Sequence, residues 1–103
     1  MKATLYLPQR PPQSVSTEGL GLPNPDTGFA SVSNQVPLLL GCDPKLVDVL
    51  ACAPNYVAYS VFDYEGGQPN NEAMLALAAL TGYSFNTDDE DTILLGPILV
   101  VVA

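Results

Sequence analysis

The chain has 103 residues, 48% of them hydrophobic and only 14% charged, enough for one modest core and unlike a disordered chain. Three basic residues against eleven acidic ones give a net charge of −8, which excludes a nucleic-acid binder that neutralises phosphates. The absence of histidine excludes His-based acid–base catalysis and His-ligated metals.

The opening residues 2–7 predict a strand, since Thr4-Leu5-Tyr6-Leu7 suits a pleated, half-buried position before Pro8. This apolar run is too short for a signal-peptide core. The longest apolar stretch, 93–103, has eleven residues and contains Gly96-Pro97, where a membrane helix needs about 20. The reading is a soluble intracellular chain with no membrane partner. Residues 8–35 hold Pro8, Pro11, Pro12, Pro23 and Pro25 among glycines and small polar residues. They read as an extended arm or long loop with a short strand at 29–33, and as the first place for a partner-binding element.

Residues 36–40 read as a strand, with Pro37 marking an edge or bulge. A helix follows, with Asp43 as N-cap and Pro44 at its first position. Leu46, Val49, Leu50 and Ala53 share one face of it, and Pro54 ends it. Cys42 and Cys52 then flank this helix about 15 Å apart, too far for a disulfide. They are expected to be free, buried thiols, and two cysteines without histidine make no four-ligand metal site.

Residues 56–62 predict a strand and 65–69 a turn. A second helix starts at Asn70 or Asn71, places Glu72 at its positive end, and closes at Gly82. Its Ala73–Leu80 stretch is apolar nearly all round, so it needs cover on more than one side. Residues 86–91 read as a polar turn, and 92–102 as a buried strand interrupted at Gly96-Pro97. The expected fold is one α+β domain over 1–103. It has a small mixed or antiparallel sheet of three to five strands and two helices on one face. A long Pro-rich arm at 8–35 would precede a compact core at 36–103.

Charge is lopsided. After Lys45 come Asp48, Asp63, Glu65, Glu72, Asp88, Asp89, Glu90 and Asp91 with no basic residue. The run 88–91 lacks the alternation and glycine of a calcium loop, and reads as a solvated turn. Joined with Asp63, Glu65 and Glu72 it offers an acidic surface able to imitate a phosphate line and occupy a basic groove on another protein. The plainer account is that these charges keep an apolar domain soluble. The serines have no histidine to activate them, and Gly19-Leu20-Gly21-Leu22-Pro23 is not a phosphate loop. Asp63 and Glu65 beside a Gly-Gly turn read as surface rather than as a glycosidase pair. No enzyme activity, cofactor or metal is expected. Tyr64 and Tyr83, with Tyr56, Tyr59 and Phe62, serve either the core or an interface. So short and apolar a chain is expected to form a homo-oligomer.

Three segments together resemble a family of small phage and plasmid proteins known only by an unknown-function domain label. They are the Met1-Lys2-Ala3 strand ending at Pro8, the Gly67-Gln68-Pro69-Asn70 turn, and the closing Asp91-Thr92-Ile93-Leu94-Leu95-Gly96-Pro97 with its hydrophobic strand. The resemblance implies a mobile-element setting and transfers no catalytic residue. The functional expectation is a non-enzymatic accessory protein in the host cytoplasm. It would bind and inhibit a host defence protein through Asp63, Glu65, Glu72, Asp88, Asp89, Glu90, Asp91, Tyr64 and Tyr83. The alternative is a virion protein such as a capsid decoration subunit, its arm laid on a neighbour. A small-molecule sponge is a third, weaker reading.

Overall fold

Ile98-Leu99-Val100-Val101-Val102 is apolar at every position, a pattern that demands cover on both faces of a sheet. The computed structural model describes residues 1–62, 64, 67–85, 88 and 92–103. In chain order the elements are β1 (Lys2–Tyr6), β2 (Gln13–Val15), α1 (Gln35–Leu40) and a 3-10 turn (Pro44–Leu46). Then come β3 (Val47–Ala53), β4 (Tyr56–Val61), α2 (Asn71–Thr81) and β5 (Ile98–Val102). The strands form one antiparallel sheet in the order β2-β1-β5-β4-β3, so the all-apolar β5 is its centre.

Alternation along the strands sorts the core into two layers. Ala3, Leu5, Val57, Tyr59, Leu99 and Val101 pack with Val36 and Leu40 of α1. The intervening Ala58, Ile98 and Val100 pack with Ala73, Met74 and Leu77 of α2. The two helices therefore lie on opposite faces, not on one. Two-sided burial of β4 and β5 forces this.

Six residues of α1 cannot cover a whole face. Residues 16–34 supply the rest: Leu20, Leu22 and Ala30 pack against the α1-side core, and Pro23 is buried. Asn24 closes a loop there, its side-chain oxygen accepting from the N–H of Asp26 at 2.8 Å and of Thr27 at 3.4 Å. Tyr59, 1% exposed, donates its hydroxyl to the Ser31 carbonyl at 3.0 Å. The segment expected to project as an arm thus begins with an edge strand and continues as cover for the sheet. No strand forms at 29–33.

Two further elements differ from expectation. Residues 36–40 are helical: Pro37 sits in the first turn, where its missing N–H costs nothing, and leucines follow. Gly41 closes α1 at φ 72°, its N–H donating to the Pro37 carbonyl at 2.8 Å. Downstream, Asp43 does cap, accepting from the Lys45 N–H at 2.9 Å, but only one 3-10 turn follows. The β-branched Val47 and Val49 pass straight into a strand paired with β4. The ladder shifts register between Val49 and Ala51, which puts Leu50 and Ala51 together on the α2 side. That bulge breaks the period of two and makes 46, 49, 50 and 53 imitate a helix.

Cys42 and Cys52 are free as expected, but Cys42 is half-buried and Cys52 is exposed on β3. α2 runs as expected from the Asn70 cap to Gly82. β5 is shorter than the expected 92–102: Gly96, at φ 73°, turns the chain, and before it only Leu95 pairs, singly, with Pro69. Of the expected turns at 65–69 and 86–91, residues 65, 66, 86, 87 and 89–91 lie outside the described residues.

Buried tyrosines make stability fall in alkali. Burial, and then the nearby Cys52, push the Tyr59 hydroxyl above its ordinary value near 10. Burial, and then Glu72, do the same to Tyr6. The folded chain holds these protons to higher pH than the unfolded chain. Their contribution is therefore full below pH ~10 and falls as the pH rises beyond it. Burial, and then Asp43, also raise the Cys42 thiol above its ordinary value near 9, so denaturant midpoints should begin to fall above pH ~9 and drop further above ~10. Tyr59→Phe should cost about 1 kcal/mol at neutral pH and show a shallower alkaline drop; an unchanged slope contradicts this.

Candidate protein-binding surface

Asn70 fixes α2 against the sheet. It is 1% exposed, and its side-chain amide donates to the carbonyls of Tyr6 at 2.9 Å and Gly96 at 2.7 Å. Its side-chain oxygen accepts from the Ala73 N–H at 3.3 Å, and its own N–H donates to the Leu94 carbonyl at 2.9 Å. One residue thereby ties the helix start to the end of β1 and to the approach of β5. The helix then delivers Thr81, Tyr83 and Phe85 across from β3.

Between them lies an open cleft of about 660 Å³, bordered by Leu50, Ala51, Tyr56, Tyr83, Phe85 and Leu94. A second, of about 380 Å³, lies beside Ser60, Val61, Tyr64 and Ile93. Both clefts include Leu50 and Leu94, so they adjoin along the α2 side of β3. The Tyr64 ring lies over Gly96, where a Cβ would come within 2.7 Å of it. Glycine at that left-handed position is what lets the ring lie flat.

At the far end of the β3–β4 hairpin, the Phe62 N–H donates to the Leu46 carbonyl at 2.6 Å. The side chains of Leu46, Phe62 and Tyr64 are all exposed, Phe62 to 62%. Of these three, Tyr64 also lines the second cleft, so an exposed aromatic side chain stands at its rim. Such a surface supplies contact area at low entropy cost, with hydroxyls of Tyr56, Tyr83 and Ser84 to fix orientation.

The residues expected to bind a partner are distributed unevenly. Tyr64 and Tyr83 both border this surface, Tyr83 at 73% exposure. Glu72 does not: it sits at the other end of α2, in a hollow shared with Gln9, Arg10 and Asn71. Asp88 is exposed in a turn after α2. Asp63, Glu65, Asp89, Glu90 and Asp91 lie outside the described residues. The sequence alone does not single out Leu46, Leu50 or Phe85, since Leu46 and Leu50 fall on an expected helix that does not form; Phe62 is expected as core or interface and is exposed.

Among the described residues no three Cys, Asp or Glu side chains are grouped to hold a metal ion. Nor, among the described residues, is any helix long and apolar enough to cross a membrane. No family model matches the chain, and neither a curated protein nor a solved structure is significantly similar to it.

Proposed function

We propose that the chain is a non-enzymatic protein-binding module of a mobile element, an acidic inhibitor that occupies a basic, partly apolar site on a host defence protein. The observation that carries this reading is the exposure of Leu46, Phe62 and Tyr64 at one end of the β3–β4 hairpin, with Tyr64 also lining a cleft beside β3. Soluble domains rarely leave grouped aromatics open unless they meet a partner. After Lys45 the chain contains only acidic charges, which supports a basic partner and long-range, salt-sensitive attraction. The resemblance of the two chain ends supplies the mobile-element setting, and with it the host cytoplasm. The capsid-decoration alternative drew on a free arm, and residues 16–34 are engaged on their own sheet instead.

The test is a pull-down of the tagged protein from infected host lysate, washed at low and then high salt, with mass spectrometry of what remains. A host protein retained at low salt and released at high salt is the expected result. Capsid or tail protein retained at both would replace the inhibitor reading with the virion one.

A further inference from the structure

We propose that β3 is a docking edge, and that an extended, basic segment of the partner adds to it as a sixth strand with alternate side chains in the two clefts. This rests on the protein-binding reading above and names how that surface is used.

The sheet has two outer edges, and they are treated differently. β2 has three residues, follows Pro11-Pro12, and presents exposed Gln13 and Ser14. Short length and prolines are how edges are closed to pairing. β3 has seven residues, Val47–Ala53, with no proline or lysine among them. Among the described residues it pairs only with β4, and none of them pairs with the N–H and C=O groups of its other edge.

Side-chain room lies next to those backbone groups. The adjoining clefts flank β3 at Leu50, on the side where the chain leaving α2 places Tyr83 and Phe85. Backbone pairing at an edge, with pockets for every second side chain, is how sheets recruit extended peptides. The bulge at Leu50 breaks the run of edge groups and limits pairing to one register. It also brings Ala51 beside Leu50 on the cleft side.

Charge selects the occupant. Asp48 is exposed on β3 itself, and no basic residue follows Lys45 in the chain. A segment carrying lysine or arginine on its outward positions is attracted. A second copy, also at −8, is repelled.

The probe is a fluorescein-labelled nonapeptide alternating valine with lysine, compared with the same peptide N-methylated at every second amide. N-methylation keeps charge and side chains but removes the donors that would pair with β3. The wild-type protein should bind the first peptide at least about tenfold more tightly than the second. Tyr83→Ala, at an exposed position, should weaken binding about fivefold without changing the melting temperature. Amide shifts should appear at residues 50–52 and 83–85.

Equal binding of the two peptides overturns strand addition, and if that binding is salt-sensitive the acidic-surface reading survives. Binding lost on N-methylation yet insensitive to salt keeps strand addition and contradicts the electrostatic reading. No binding of the unmethylated peptide overturns the proposal. So does a sedimentation mass of two chains with β3 amides already protected, which would assign the edge to a second copy.

Discussion

Replacing Asn70 by alanine should destabilise the protein by about 3 kcal/mol. Three side-chain hydrogen bonds are lost at once: those to the Tyr6 and Gly96 carbonyls and the cap on the Ala73 N–H. Alanine leaves the space dry, so the buried Gly96 carbonyl loses a partner that water cannot replace. An ordinary N-cap loss is about 1 kcal/mol, and the stranded carbonyl adds a further 1 to 3, roughly. In a chain of this size the melting temperature should fall by about 15 °C. Asn71→Ala, one residue on and exposed, should change it by no more than about 2 °C. Asn70→Asp keeps the cap acceptor but loses both donations and brings a charge into a buried site, so it should also be costly. Equal melting temperatures for the Asn70 and Asn71 alanine variants would remove this residue from its place in the fold.

The identity of that residue was half legible in the sequence. Asn70-Asn71 ahead of Glu72 and an alanine–leucine run announces a helix start, and the helix stands where expected. The donations to Tyr6 and Gly96 span 64 and 26 residues of sequence, and no local pattern encodes them. The same divide explains the rest. β1, β4 and α2 carry their period in consecutive residues and formed as read. Val36-Pro37-Leu38-Leu39-Leu40 is equally apolar as strand or helix, and a proline in the first turn is allowed in the helix. At 46–53 a bulge counterfeits the helical period, which hides the longer of the two outer edges among the described strands. Of the residues proposed to bind, Phe62, Tyr64 and Tyr83 are legible as core-or-interface candidates. The part played by Leu46 and Leu50 is not, because it depends on β3 being a strand.

Phe62→Ser should abolish most of the binding while leaving the fold alone. The ring is 62% exposed, and the hydrogen bond that holds the residue is made by its backbone to Leu46. The free protein therefore loses little, within about 0.5 kcal/mol. On a partner that covers this end of the hairpin, the same ring would be removed from water beside Leu46. Truncating an aromatic of this kind costs about 2 kcal/mol of binding, roughly a thirtyfold loss of affinity. A change at Glu72, by contrast, should act mildly and only at low salt, since that carboxylate lies in the Arg10 hollow.

The most direct test is a titration of the captured host protein with wild type and Phe62→Ser, at low and at high salt, alongside their melting curves. The account predicts overlapping melting curves, wild-type affinity that falls with salt, and a Phe62→Ser affinity about thirtyfold weaker at both salts. Equal affinities for the two proteins, with the fold intact in both, would place the contact elsewhere on the molecule.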